Sequence, residues 1–451
     1  MYNVLVVKRT RIIDCLEKAG ESVVVSGWVQ VVRSHGKIAF LDLRDGSGTL
    51  QIGGFTESTV SAISALSSQD VVVVHGLVKK RDEKYVNSTL PTGIIELEAQ
   101  EVTVLSKAGE MPFDMGGKQL HLELPTLLDH RTLSLRHPTV SAIFKIQETI
   151  VNSFKTTLKE NAFTEIFVPT IVPTATEGGS EVFSIDYYGH KAYLGQSPQF
   201  YKQMMVPVFE RVFTIAHAYR AEPSVTTRHL SEYVSLDVEM GFIDSFGDLM
   251  DMVEKILRNM FVAVKNNNQN ELNALKKDIL VLGEKPFPRI KMREAQEIIL
   301  KRTAHDHTTE PDLDPSDEKE ICQWALEEYG VPFVFITHYP TKKRPFYTMP
   351  DPTDPEYTLG FDLLGIQEEW VTGGQRIHSY DMLVEKIKER GNKPEQFEMY
   401  LQAFKYGMPS EGGFAMGLER ITKDMLGLSN IREASLFPRD MERVDERFSS
   451  R

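Results

Sequence analysis

Cysteine is almost missing from this chain: Cys15 and Cys322 are the only two among 451 residues. That excludes a disulfide scaffold and any cysteine-rich zinc site. Long apolar runs are missing too. A stretch such as Val71–Val74 falls far short of the roughly 18 residues that a bilayer-spanning helix needs. Met1–Val7 is mostly apolar but is interrupted at once by Lys8, Arg9 and Arg11, so no secretory signal is expected. Composition shows no strong bias: hydrophobic residues make up 41% and charged residues 25%, which is globular and neither disordered nor collagen-like. The expectation is a soluble, cytoplasmic protein with no membrane partner, of two or three domains at about 150 residues each.

A basic excess is also lacking, since the formal net charge is −13. Its distribution matters more than its total, because a local field over one face steers ligands. Residues 1–105 hold 11 Lys/Arg against 12 Asp/Glu, a net of −1, so nearly all the negative charge falls on the rest of the chain. An RNA partner is permitted, although the global charge does not argue for one.

The first hundred residues read as strands. Val23–Gln30 is β-branched, Ile38–Arg44 follows a loop at Ser34-His35-Gly36, and Asp45-Gly46-Ser47-Gly48 is a hairpin turn before Thr49–Ile52. Val71–Gly76 and Ile94–Leu97 complete about five short strands, with helix signal only at Ser61–Ser67. A five-stranded Greek-key barrel of the oligonucleotide-binding (OB) type fits that count, and so does any other small β-barrel. Residues 106–135 are mixed polar, with Pro112 and Gly116-Gly117, and read as a hinge.

From Pro138 the pattern turns helical: Ala142, Ile143, Ile146, Ile150 and Phe154 recur at three- and four-residue spacing, with proline in the first turn. Beyond it, strand-like runs at Phe167–Ile171, Val212–Ala216, Val234–Phe242, Phe333–Thr337 and Gly412–Leu418 alternate irregularly with helices. The expected class is α+β: a barrel over 1–105, a hinge over 106–135, and a large antiparallel-sheet domain over 136–451 with an insertion around 265–330.

Two segments carry chemistry. Tyr219-Arg220-Ala221-Glu222 precedes a polar loop, Arg228-His229, and a run containing Asp237 and Glu239. Alternation along a strand would set Arg220 and Glu222 on one face, where an arginine fork suits phosphate or carboxylate. Taken alone, such charges commonly form solvated cross-strand pairs. The second segment is Gly412-Gly413-Phe414-Ala415-Met416-Gly417-Leu418-Glu419-Arg420. Glycines in a strand allow close approach to the backbone, and Arg420 would begin a helix near an anion site.

Taken in order, three segments resemble the signature motifs of class II aminoacyl-tRNA synthetases. They are Arg136-His137-Pro138 with its long helix and Pro169, the Arg220/Glu222 hairpin, and Gly417-Leu418-Glu419-Arg420. Gln196–Gln203 and Gly373-Gly374-Gln375-Arg376 look like the aspartyl branch of the lysine/asparagine/aspartate subgroup, in its short archaeal form. The resemblance covers nearly the whole chain. It implies an OB-type anticodon-binding barrel and a class II catalytic domain that joins L-aspartate, ATP and tRNA into aspartyl-tRNA, AMP and pyrophosphate.

Site residues follow from the same resemblance. Arg220 and Arg420 would hold the α- and γ-phosphates of ATP, with Arg228 close by and Glu222 and His229 at the adenine end. Glu369 and Thr372 would take Mg²⁺, an ion that prefers hard oxygen ligands bridging to phosphates. Arg376, helped by Lys202, would read the aspartate side chain, and Asp237, Gln199 and Glu177 would hold the ammonium group and its surroundings. In the barrel, Phe40 would stack on the middle anticodon base and Gln51 hydrogen-bond it, with Arg33, Arg44 and Glu96 nearby; a core position is the alternative for Phe40. The resemblance implies a homodimer. It also implies tRNA(Asp) as partner, with tRNA(Asn) added in relaxed forms, and Gln30 and the Lys79–Tyr85 loop are where that choice would lie.

Some positions depart from the family pattern. Tyr219 replaces the usual phenylalanine, Ala415 the usual glycine, and Ile377 follows Arg376 where an acidic residue is common. A polar tail follows Phe437-Pro438-Arg439-Asp440 in place of a short proline-ended terminus. The rival readings are an asparaginyl enzyme, against which Lys202 and Arg376 argue, and a non-catalytic RNA-binding paralogue, against which Arg220, Glu222, Glu369 and Arg420 argue.

Overall fold

The structure is a computed structural model that describes residues 8–88, 90–117, 119–174, 181–223 and 226–448. The chain divides into two compact units, Met1–Leu122 and Glu123–Arg451.

Alternation builds the first unit. Strands β1 (Ser22–His35), β2 (Ile38–Arg44) and β3 (Thr49–Gly54) are followed by helix α1 (Glu57–Ser64), β4 (Val71–Lys80) and β5 (Ile95–Ser106). They close into a barrel in the order β1-β2-β3-β5-β4, with β3 and β5 parallel and the other pairs antiparallel. Closure leaves no unpaired edge. Val23, Val25 and Val29 point inward with Ala39, Leu41, Leu43, Leu50, Ile52, Val72, Val74 and Leu97, and all are buried. Gly27 is required where β1 crosses β2, because a Cβ there would sit 2.2 Å from the carbonyl oxygen of Arg44. Helix α1 starts earlier than the Ser61–Ser67 signal because Thr56 caps it, its hydroxyl accepting from the Thr59 amide. A cap leaves no mark on apolar periodicity.

The segment read as a hinge ends in two short helices, α2 (Leu124–Asp129) and α3 (Arg131–Ser134). Helix α4 (Pro138–Glu160) follows, with the His137 ring accepting from the Thr139 amide as its cap and Pro138 in the first turn. Its apolar stripe packs against α6 (Gly247–Asn267), and both cover one face of the main sheet. Between them lie β6 (Thr164–Glu165), β7 (Ile171–Val172), β8 (Ser184–Tyr187), β9 (His190–Leu194), α5 (Gln199–Phe209), β10 (Arg211–Tyr219) and β11 (Glu232–Gly241). After α6 come α7 (Gln269–Leu275), β12 (Arg289–Lys291), α8 (Met292–Thr303), α9 (Pro315–Tyr329), β13 (Phe333–Thr337), β14 (Gly360–Gly365) and β15 (Glu368–Gln375). The last elements are α10 (Tyr380–Glu389), α11 (Glu398–Lys405), β16 (Glu411–Gly417) and α12 (Leu418–Met425).

The main sheet has eight strands in the order β12-β13-β14-β15-β16-β11-β10-β6, antiparallel except where the short edge strands β6 and β12 join. With the barrel, this makes the chain α+β. The expected strand at Phe167–Ile171 does not form. Only Ile171 enters a strand, Phe167 is 87% exposed, and Pro169 has no N–H to give a ladder. Residues 265–330 do not stand apart from the sheet: β12 pairs with β13, and α8 and α9 bury Ile299, Ile321 and Ala325 against Val334 and Ile336. Among the described residues no helix is long and apolar enough to cross a membrane.

Phe154 joins α4 to the sheet. It is fully buried and meets Phe213 of β10 edge to face at 5.7 Å. Phe154→Ala should cost about 3–5 kcal/mol. A urea titration of the full chain checks this, as a lower midpoint for the transition of the Glu123–Arg451 unit.

Candidate active site

Strand β11 runs through the middle of the sheet, and its two faces do different work. Leu236, Val238 and Met240 enter the core with α4 and α6, so Ser235, Asp237 and Glu239 point the other way. Register extends that second face sideways. Thr214, Asp237, Ala415, Thr372 and Asp362 lie in one row across β10, β11, β16, β15 and β14. In the next row Glu239 lies beside Gly413, where a Cβ would come 2.2 Å from Glu239 Oε2. The glycine run thus makes room for a buried carboxylate to lie on the sheet.

One cleft of about 650 Å³, counting space open to solvent, gathers Arg220, Glu222, Arg228, His229, Glu369, Thr372 and Arg420. Arg220 and Glu222 do not reach it by strand alternation. Strand β10 ends at Tyr219, and both residues lie in the connection to β11, where the Arg220 amide donates to the Ser231 carbonyl. There Arg220 stands 3.6 Å from Glu222 and 5.4 Å above the Tyr233 ring. His229 Nε2 is 3.7 Å from Glu222, and its pKa is held down by burial, aided by the Arg420, Arg220 and Arg228 cations and opposed by Glu222. Arg228 donates to Glu368 at 2.5 Å and to Glu318 of α9 at 2.6 Å. Burial pushes the Glu318 carboxyl up to about 7, against the pull of Arg228.

Arg420, in the first turn of α12, donates to the Glu369 carbonyl at 2.6 Å and stands 3.6 Å from the Glu369 carboxylate. Burial, then Asp362, raises the Glu369 pKa, while Arg420 and Arg344 oppose the rise. Arg344 links the other oxygens here, donating to Asp362 at 2.6 Å and to the Thr372 hydroxyl at 3.1 Å. The second oxygen of Asp362 is buried and meets no donor among the described residues. Crowded, under-satisfied oxygen ligands of this kind suit a hard divalent cation.

Beside the cleft lies a fully buried charge cluster. Lys202, one turn into α5, is 3.0 Å from Asp237 and 3.1 Å from Glu239, and donates to the Val238 and Phe414 carbonyls at 3.3 Å each. Its ammonium is therefore committed beneath the site rather than projecting from it. Arg376 donates to Glu239 at 2.9 Å, to Gln199 Oε1 at 3.3 Å and to the Gly413 carbonyl at 3.0 Å. The Glu239 pKa is lowered: burial opposes ionisation, but Arg376 and Lys202 outweigh it. Apart from Lys202, both oxygens of Asp237 lack a donor among the described residues. Glu177, the remaining member of the expected amino-acid set, lies outside the described residues.

Sequence reasoning missed Glu239 as a site residue, although period two from Asp237 would have found it. It also missed Glu368, Glu318, Arg344 and Asp362, which converge from four separate places in the chain and carry no local signal.

On the barrel, Phe40 and Arg44 lie on the outer face of β2, alternating with the buried Ala39, Leu41 and Leu43. Phe40 is half-buried rather than a core residue and meets Phe55 edge to face at 6.2 Å. Arg33 forms a fork on Asp42 at 2.7 and 2.9 Å, and Arg44 stands 5.1 Å over the Trp28 ring. Gln51 donates to Glu96 at 3.3 Å, and Gln30 accepts from Thr49 at 3.1 Å. Arg81 is 3.8 Å from Glu96, and Lys79 pairs with Glu98.

Residues 123–441 match the family of class II tRNA synthetases (D, K and N), and residues 23–105 match the OB-fold nucleic acid binding domain. The chain is 40% identical over 434 residues to an aspartate–tRNA(Asp/Asn) ligase of Methanococcus aeolicus, covering 95% of each. It is 41% identical to an aspartate–tRNA(Asp) ligase of Pyrococcus abyssi, covering 95% of this chain and 97% of the relative. Among solved structures, asparaginyl-tRNA synthetase from Pyrococcus horikoshii, complexed with asparaginyl-adenylate, superposes with a TM-score of 0.85 at 31% identity. That superposition covers 95% of this chain and 97% of the other.

Proposed function

The chain belongs to the class II tRNA synthetases of the D, K and N group, and from that premise we propose that it is an aspartate–tRNA ligase. One observation carries the choice of amino acid: Arg376 is held by Glu239 and Gln199 over a buried Lys202, beside the arginine-lined cleft. A carboxylate side chain satisfies such an arginine, whereas an amide leaves it poorly paired in a dry site. The relatives at about 40% identity support the aspartyl reading over the asparaginyl one. The fold alone does not separate them, since an asparaginyl enzyme superposes as well.

In the first step the α-carboxylate of aspartate attacks the α-phosphorus of ATP, forming aspartyl-adenylate and releasing pyrophosphate. Aspartate is already ionised, so no general base is needed. The protein has to bring two anions together and spread the charge that builds on the phosphate. Arg220 takes the α-phosphate, Arg420 and Arg228 the distal phosphates, and Glu222 and His229 the adenine. For Arg228 this means exchanging Glu318 or Glu368 for phosphate oxygens. Glu369 and Thr372, with Asp362 behind them, would hold Mg²⁺, which supplies charge neutralisation between phosphates. Asp237 has acceptor capacity for the substrate ammonium. In the second step the 3′-terminal adenosine hydroxyl of the tRNA attacks the mixed anhydride and expels AMP.

The barrel would read the anticodon, with Phe40 as a stacking platform and Gln51, Arg33, Arg44 and Glu96 around it. A homodimer is part of the same reading. Whether tRNA(Asn) is charged along with tRNA(Asp) is a separate choice, because relatives of nearly equal identity bear both names.

The deciding experiment measures ATP–pyrophosphate exchange with aspartate and with asparagine, then aspartate charging of purified tRNA(Asp) and tRNA(Asn) side by side at one salt concentration. Exchange driven better by asparagine would overturn the proposal, and no exchange with either would favour a non-catalytic paralogue. Phe40→Ala should leave exchange unchanged and weaken tRNA charging by about 1–3 kcal/mol, the worth of one stacked base. Equal charging by the variant and the parent would remove Phe40 from the interface.

A further inference from the structure

Glu411, the first residue of β16, is fully buried, and no step proposed above uses it. Its surroundings are specific. Tyr400 donates to Gln203 Oε1 at 3.1 Å, which turns the Gln203 amide so that Nε2 donates to Glu411 Oε1 at 2.7 Å. The other oxygen, Oε2, meets no N–H or O–H donor among the described residues. Register sets Glu411 beside Glu239: Glu411 pairs with Gly241 and Gly413 with Glu239, so the two carboxyls are diagonal neighbours on the sheet face opposite Phe414 and Met416. Two carboxyls facing each other in a dry site share one proton, because both cannot ionise. Glu239 is not the one to carry it, being already paired with Arg376 and Lys202.

The charge balance gives the same answer. Lys202 and Arg376 are offset by Asp237 and Glu239. A third carboxylate in that cluster would be a buried charge without a partner. Burial and Glu239 both push the Glu411 pKa well above the usual carboxylate range, with Gln203 and Arg376 opposing. The charged or titratable groups around it are Glu239 on β11, Lys202 on α5, Tyr400 on α11 and Arg376 beyond β15.

We propose that Glu411 is a neutral carboxylic acid that donates a hydrogen bond to Glu239, and that its proton keeps Arg376 available for an acidic rather than an amide side chain. Glu411 is then a positioning residue that acts through Glu239 on Arg376. An ionised Glu411 would add negative charge beneath the arginine and repel an incoming aspartate carboxylate, while leaving a neutral asparagine side chain nearly unaffected. This inference rests on the aspartyl reading of the site.

The test compares the full-length parent with Glu411→Gln and Glu411→Ala. Glutamine keeps a neutral donor toward Glu239, so its KM for aspartate should stay within about twofold of the parent. Alanine leaves Glu239 without that donor, and its KM for aspartate should rise at least about tenfold with the KM for ATP unchanged, since 1.4 kcal/mol is a factor of ten. Preference for aspartate over asparagine should fall with it. Infrared spectroscopy of the unliganded protein at neutral pH should show a protonated-carboxyl band that disappears in Glu411→Gln. A parent spectrum without that band, or a tenfold shift in the KM for aspartate in Glu411→Gln, overturns the proposal. So does equal loss for aspartate and ATP in Glu411→Ala. If the parent fails to activate aspartate at all, the functional reading falls and the specificity half of this inference falls with it, while the infrared band still decides the proton.

Discussion

Arg376→Leu should abolish aspartate-dependent pyrophosphate exchange, by at least about 10³-fold, because a site built around a buried ionic partner fails when that partner is removed. ATP binding, followed by calorimetry, should change less than about twofold, since each 1.4 kcal/mol of binding energy is tenfold and Arg376 contributes none of the ATP contacts proposed here. The split follows from what Arg376 touches. Its donors go to Glu239, Gln199 and the Gly413 carbonyl, and none goes to the cleft holding Arg220, His229 and Arg420. Leucine also leaves Glu239 with only Lys202 as a cation, so the variant should be less stable by about 2–5 kcal/mol. A thermal melt separates that loss from the kinetic one. Arg376→Lys provides the control: it returns the charge without the planar fork, and should restore stability more than activity. Equal loss of aspartate activation and ATP binding would make Arg376 a structural ion pair instead.

Much of this arrangement was legible in the sequence where it depends on local pattern. Period-two alternation placed Ala39, Leu41 and Leu43 inside a barrel, and three- and four-residue spacing from Pro138 drew α4 with its buried Ile143, Ile146, Ile150 and Phe154. The motif residues Arg220, Glu222, Arg228, His229, Glu369, Thr372 and Arg420 do converge on one cleft. What stayed hidden depends on pairings between distant segments. Arg220 and Glu222 face each other because a loop folds back onto Ser231, not because a strand alternates. Lys202 looks in sequence like a free cation on a helix, yet two carboxylates and two carbonyls surround it. Glu318 belongs to a segment that read as an insertion and nonetheless holds Arg228. Glycines that suggested a close ligand instead admit Glu239. In the last three cases the decisive contact joins residues far apart in the chain, and no short window of sequence contains both partners.

Arg420→Ala should show the opposite split from Arg376→Leu. Its kcat for aspartate-dependent exchange should fall about 10²–10³-fold, the loss expected when one preorganised charge is removed from where negative charge develops. The KM for aspartate should stay nearly unchanged, because Glu368 and Glu369, which Arg420 meets, lie outside the buried cluster of Lys202, Asp237 and Glu239. Its guanidinium donates to the Glu369 carbonyl and stands near the Glu368 and Glu369 carboxylates, so it serves the phosphate side of the site. Folding should survive the change. Arg420 is partly exposed, and the carbonyl it leaves lies in an open cleft that water can enter. Arg420→Lys should recover only part of the rate, since a point charge replaces a fork that spans two oxygens. The two variants measured together carry more weight than either alone. A single ligand site of any chemistry would lose both substrates in both variants. Loss of the amino acid in one and of phosphate chemistry in the other requires two adjacent anion sites, each with its own arginine: Arg420 beside Glu369 at the start of β15, and Arg376 just beyond the end of that strand.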